Sequence, residues 1–176
     1  ANTSGLYVYL DNQQFTTSIL PNINEWEHVA FTYSSSIGQG KLYLNGIEVH
    51  AFSSSIQLSP TLLDLHIGGE GWGNYSFNTL DGFIDEVNIW DYCLDQSAIQ
   101  QYMNCPPTGT ESGLVGYWNF EEGSGNIALD QTSNGNNGTI NGANYTSNVP
   151  SQSCNLTNVN GCDSTAVLNL TINNSD

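Results

Sequence analysis

Two loops of this 176-residue chain carry side chains whose chemistry goes beyond packing. The first reads Glu70-Gly71-Trp72-Gly73-Asn74-Tyr75. Its glycines leave Trp72 and Tyr75 without obvious core neighbours. Flat aromatic faces on such a loop suit stacking against sugar rings, and the Asn74 amide between them offers donors and an acceptor. The plain alternative is a pair of loop aromatics folded over the edge of the core. The second loop runs from Asp130 through Asn134 and Asn136 to Gly138. One carboxylate, several amide oxygens and glycines that let backbone carbonyls turn inward make up the oxygen set that Ca²⁺ takes. Asp130, Asn134 and Asn136 are therefore candidate metal ligands. Asp85 joins them, because a carboxylate on the face shared by Val87 and Ile89 needs a partner if it is buried. The spacing is not that of an EF-hand. The same residue types also build a metal-free network of Asx turns.

Other reactive side chains offer less. Cys93, Cys105, Cys154 and Cys162 lack the C-x-x-C spacing of a zinc site. An even count in a loop-rich, Lys-poor chain points to an oxidising compartment. Three pairings are open. The preferred one joins Cys105 to Cys154, which bracket one segment, and leaves Cys93 for Cys162. His28, His50 and His66 are scattered, with no H-E-x-x-H. There is no G-x-S-x-G, P-loop or Cys–His nucleophile motif.

Charge narrows the partners. The chain has one Lys or Arg against 17 Asp and Glu, for a net charge of −16. A phosphate-binding surface needs Lys and Arg, so neither nucleic acid nor an anionic membrane surface is expected as a partner. The acidic surplus suits high ionic strength, divalent cations or simply a solvated surface. No apolar run approaches the roughly 20 residues of a membrane span. The chain opens at Ala1 without a leader, so a processed or excised piece is expected.

Strand patterns must position these loops. Trp26, His28 and Ala30 alternate with Val29, Phe31 and Tyr33, and Leu42 and Leu44 alternate with Lys41 and Tyr43. Such period-two alternation marks half-buried strands. Asn45-Gly46 before Ile47 and Val49 signals a type I′ hairpin. Further strands are expected over 5–10, 13–19, 56–58, 63–67, 83–90, 113–120 and 138–145, with a turn at Asp11-Asn12. Asp95 is a plausible N-cap for a short helix over 94–103, with Ile99 and Met103 as its apolar stripe and Pro106-Pro107 as its stop. Trp26, Trp90 and Trp118 fall within strand patterns and are expected in the core. Together these give an all-β, antiparallel sandwich with one short helix.

Trp26, His28, Val29, Ala30, Thr32 and Tyr33, followed by Lys41-Leu42-Tyr43-Leu44-Asn45-Gly46, resemble the laminin G-like (concanavalin A-like lectin/glucanase) family. Ile67-Gly68-Gly69 and the run Gly82 to Trp90 resemble its last strands, and Leu94 to Met103 its closing helix. The resemblance implies a jelly-roll β-sandwich, a structural role for His28, and calcium near loops of the kind at Asp130. The order then departs from the family. Residues 1–103 resemble the later two-thirds of a copy, whereas 113–150 resemble the opening third, and the middle strands have no clear counterpart. Either the chain is a window across two tandem modules, or it folds as a permuted sandwich over 1–150, with Leu114–Phe120 pairing beside Phe83–Trp90. Residues 151–176 form a separate tail, with a turn before one strand over 166–172. That tail resembles the repeats of large secreted bacterial surface proteins.

The family's glucanases place carboxylates on one strand face with E-x-D-x-x-E spacing. Here Asp85 and Glu86 are adjacent, and adjacent strand residues face opposite ways, so no catalytic pair is expected. The resemblance thus implies a non-catalytic adhesion or carbohydrate-recognition module of a larger secreted or surface protein. Its partner would be a glycan or surface polysaccharide, and its state a monomer or a strand-swapped dimer. The other reading is a structural spacer without a ligand.

Overall fold

The computed structural model describes residues 5–10, 13–58, 64–69, 80–151, 154, 156–157 and 163–164. Within them the chain is all-β with one short helix. The order is β1 (Tyr7–Leu10), β2 (Gln13–Thr16), β3 (Val29–Ser34), β4 (Gln39–Leu44), β5 (Ile47–Ser53), β6 (Val87–Trp90), α1 (Gln96–Asn104), β7 (Leu114–Trp118), β8 (Ile127–Ala128), β9 (Gly138–Thr139), β10 (Leu156–Thr157) and β11 (Asp163–Ser164). The described strands pair as β1-β2, β3-β4-β5, β6-β7, β8-β9 and β10-β11, all antiparallel.

The three-stranded sheet owes its two faces to residue alternation. Phe31 stands opposite Leu42, and Leu42 opposite His50; Tyr33 stands opposite Gly40, and Gly40 opposite Phe52. These residues share the apolar face. Phe52 is its hub, stacked on Phe15 of β2 at 3.7 Å and lying 6.2 and 6.3 Å from Phe31 and Tyr33. The Phe52 ring lies over Gly40, where a Cβ would come within 2.2 Å of it. Phe15 thus lays the β1-β2 hairpin on this face as a second layer. Val8 and Leu10 of that hairpin are more covered than Tyr7 and Tyr9. Coverage is incomplete, since Leu42 is buried while Val29, Phe31 and Ile47 stay exposed.

The sheet's other face carries Thr32, Lys41, Tyr43 and Glu48, and α1 packs against one end of it. Gln100 Nε2 donates to the Gly46 carbonyl at 2.9 Å. Asn45 and Gly46 take φ of 51° and 72°, the left-handed pair that the hairpin turn requires. Asn45 also joins this turn to the strand entry: its Oδ1 accepts the His28 N–H at 2.9 Å, and its own N–H donates to the His28 carbonyl at 2.8 Å. Asp95 caps the helix as expected, with Oδ1 accepting the Ala98 N–H at 2.8 Å. A disulfide joins Cys105, just past the helix, to Cys154. Cys93 is a free, exposed thiol in place of the expected bond to Cys162, which lies outside the described residues.

The opening-like strand lies beside the last one. Val87 pairs with Trp118, Asn88 with Tyr117 and Ile89 with Gly116. Two boundaries differ from the sequence pattern for a backbone reason. Glu86 and Phe120 both sit at φ 54°, in the left-handed region where an extended chain cannot continue. So β6 starts at Val87 rather than at Phe83, and β7 stops at Trp118. Asp85 therefore does not share the face of Val87 and Ile89 by strand alternation. Residues 56–58 and 64–67 are not strands, and the strand expected over 138–145 shortens to β9, paired with β8 inside the loop. Trp118 is buried and Trp90 half-buried, but Trp26 is 36% exposed and leans on Phe83 at 6.1 Å rather than entering the core. The Asp11-Asn12 turn and the 166–172 strand lie outside the described residues.

Candidate functional site

Trp72, Asn74 and Tyr75 lie outside the described residues. Asp130, Asn134 and Asn136 are brought together, as the sequence suggested, in the loop that closes over β7. Their hydrogen bonds decide what the loop does. Asp130 Oδ1 accepts the N–H groups of Tyr117 at 3.1 Å and Thr132 at 2.9 Å. Its Oδ2 accepts the Asn136 N–H at 2.8 Å and the Thr132 hydroxyl at 2.9 Å. The Asn134 and Asn136 amides donate to the Val115 carbonyl at 2.9 and 3.0 Å, and the Trp118 indole donates to the Asn136 carbonyl at 2.9 Å. Burial works against the Asp130 charge, but the donated N–H and O–H groups outweigh it and hold the carboxyl below its usual range.

This donor set does not fit calcium. Both Asp130 oxygens already receive two hydrogens each, and a cation would have to displace those donors from the direction it must approach. The arrangement is the metal-free alternative, an acidic staple fastening the loop to the β7 backbone. Asp85, the fourth expected ligand, lies just before β6 and makes none of these bonds; its Oδ1 accepts the Glu86 N–H at 3.0 Å. Glu86 in turn accepts the Tyr117 hydroxyl at 2.5 Å. Burial, then the Glu86 charge, push the Asp85 carboxyl up to about 6, with Glu121 adding repulsion. Burial and the Glu86 bond likewise push the Tyr117 hydroxyl well above its usual value. Among the described residues no three His, Cys, Asp or Glu side chains stand where they could hold one metal ion.

His28 is half-buried, and burial lowers its pKa, so it is held neutral. Its Nδ1 is enclosed without a hydrogen-bond partner among the described residues. Its backbone, through the two bonds with Asn45, ties the strand entry to the hairpin turn.

One concave feature escaped the sequence pattern. A groove of about 290 Å³ opens between the polar face of β3-β4-β5 and the start of α1, lined by residues including Thr32, Gln39, Lys41, Glu48 and Gln96. A second, of about 380 Å³, shares Gln39, Lys41 and Glu48 and continues towards Ala51 and Ser53. Lys41 Nζ meets Glu48 Oε2 at 2.8 Å where the two grooves join. Lys41 is also the single Lys or Arg of the whole chain, a signal visible in the sequence that a motif search does not weigh.

An antiparallel β fold with an Asn45-Gly46 hairpin, a short helix after β6 and a polar sheet groove is the architecture of a lectin-type β domain. A family model described as the concanavalin A-like lectin/glucanases superfamily, of laminin G type, matches residues 2–100. The chain belongs to that family. Over 141 residues, 74% of this chain, it is 23% identical to the sushi, von Willebrand factor type A, EGF and pentraxin domain-containing protein 1 of Rattus norvegicus, and to the Mus musculus protein of the same name. The chain spans 4% of the length of these curated relatives. The solved structure of a candidate carbohydrate-binding protein from Bacteroides ovatus ATCC 8483 matches 74% of this chain and 38% of its own, at 25% identity and a TM-score of 0.63.

Asp130→Asn turns an amide N–H₂ towards N–H donors, and costs about 2–3 kcal/mol in urea unfolding. The Tm of the unaltered chain stays the same in millimolar Ca²⁺ and in EDTA; a calcium-dependent rise would overturn the staple. For Asp85 the folded carboxyl titrates near 6 against an ordinary 3.8, so the folded chain holds a proton that the unfolded chain has lost. Stability from this group therefore grows as pH falls from about 7 towards 4, by about 1 kcal/mol once solvent screening of a half-exposed group is allowed for. Asp85→Asn raises Tm at pH 7 more than at pH 4.5; an equal change at both would contradict the shift.

Proposed function

We propose that this chain is a non-catalytic carbohydrate-binding module of a larger secreted or surface protein. The observation that carries the reading is the shared fold with the Bacteroides ovatus carbohydrate-binding candidate, at a TM-score of 0.63 over 74% of this chain. Membership of a lectin-type family supports it. So does the employment of the acids: Asp130 holds a loop and Glu86 holds Tyr117, so neither is presented as half of an acid–base pair. The Cys105–Cys154 bond fits an oxidising, extracellular setting. Among the described residues no helix is long and apolar enough to cross a membrane. A net charge of −16 disfavours nucleic acid and anionic lipid as partners. Because Asp130 is already saturated with hydrogen bonds, glycan binding by this module is independent of calcium. Trp72, Asn74 and Tyr75 remain the loop residues proposed to stack on and orient a sugar.

A glycan array run in parallel with millimolar Ca²⁺ and with EDTA tests this. Binding that survives EDTA is expected. Binding abolished by EDTA would restore a bridging metal, and binding to no glycan under either condition would leave a structural spacer.

A further inference from the structure

We infer that the groove between the polar face of β3-β4-β5 and the start of α1 is a saccharide subsite selective for uncharged sugars. This rests on the carbohydrate-binding reading and goes beyond it in naming a place and a ligand class. The two joined hollows, about 290 and 380 Å³, lie at the small end of the range of about 300–1,000 Å³ typical of small-molecule sites. Their shared wall of Gln39, Lys41 and Glu48 makes them one continuous path across the sheet.

The lining matches a polyhydroxyl ring. A planar carboxamide or carboxylate offers two hydrogen-bonding atoms in one plane, which two neighbouring ring hydroxyls can meet together. Gln39 and Gln96 are exposed, and among the described residues neither carboxamide is engaged in a hydrogen bond. Glu48 spends Oε2 on Lys41, and its Oε1 has no hydrogen bond among the described residues, which leaves it as an acceptor. The hydroxyl of Thr32 lies in the same wall, and Leu94 and Ile37 supply the apolar surface against which a ring's C–H face can rest.

Charge then selects the sugar. Lys41 is neutralised by Glu48, and the other charged group in the groove is the carboxylate of Asp95. The whole chain adds a net charge of −16. An anionic sugar entering this groove meets repulsion over a distance of about 8 Å at physiological ionic strength, with no free cation to offset it. Uronates and sulfated sugars are thereby disfavoured, and neutral hexoses and pentoses are accepted.

The test titrates the full chain with neutral glucan, mannan, galactan and xylan oligosaccharides, and with polyuronate and sulfated glycans, in unaltered form and as Gln39→Ala/Gln96→Ala and Trp72→Ala variants. Both glutamines are exposed, so circular dichroism and Tm should match those of the unaltered chain. A neutral oligosaccharide whose affinity falls at least tenfold in the double glutamine variant supports the subsite. Undiminished binding in that variant, with loss in Trp72→Ala, overturns the groove while leaving the carbohydrate reading intact. Binding confined to uronate or sulfated glycans overturns the charge selection. Binding to none of the probes overturns both.

Discussion

The pairing of β6 with β7 is the contact on which the rest of this molecule depends. It brings together the strand just before the helix and the first strand after it. The register places Tyr117 opposite Asn88 and Trp118 opposite Val87. From there β7 works in two directions. The Tyr117 hydroxyl reaches back across the pair to Glu86, while its N–H reaches forward to Asp130, and Trp118 is held under the same loop by the Asn136 carbonyl. The connection between the two strands runs from residue 91 to 113 and is partly ordered by α1. Loop closure therefore costs little entropy, because that cost rises only slowly with length. The disulfide adds a second tie, fastening the end of α1 to the segment that follows the 130s loop.

Much of the frame was legible because the signals were local. The Asn45-Gly46 turn, the alternation of β3 to β5 and the Asp95 cap each depend on residues within a few positions of one another, and each stands where the pattern placed it. The strand ends at Glu86 and Phe120 were not legible. A left-handed backbone is ordinarily announced by Gly or Asn, and neither residue announces it. At Glu86 the conformation coincides with a hydrogen bond from a residue 31 positions away. Trp26 was misplaced for a related reason: alternation says which face a side chain occupies, not whether anything covers that face.

The candidate sites show the same division. Sequence gathered Asp130, Asn134 and Asn136 into one loop, and the structure does so too. It could not say whether their oxygens face inward to a metal or are filled by N–H groups, because calcium loops and Asx turns draw on the same residues. For Asp130 the bonds from Tyr117, Thr132 and Asn136 favour the Asx-turn arrangement. The sheet groove was invisible to motif reading because its members come from three strands and a helix that no single motif spans. Only the solitary Lys41 hinted that a charge in so acidic a chain must have a fixed partner. Its partner is Glu48, across the β4-β5 hairpin.

The central claim is that residues 113–150 complete the same folded unit as residues 1–103. Amide hydrogen exchange, followed residue by residue over a range of protein concentrations, tests it most directly. The account predicts that amides of β6 and β7 exchange slowly and together, at a rate that does not depend on concentration. Free exchange across β7 while β3 to β5 stay protected would contradict it and point to a window across two separate modules. Protection of β7 that vanishes on dilution would mean that the strand is exchanged between two chains.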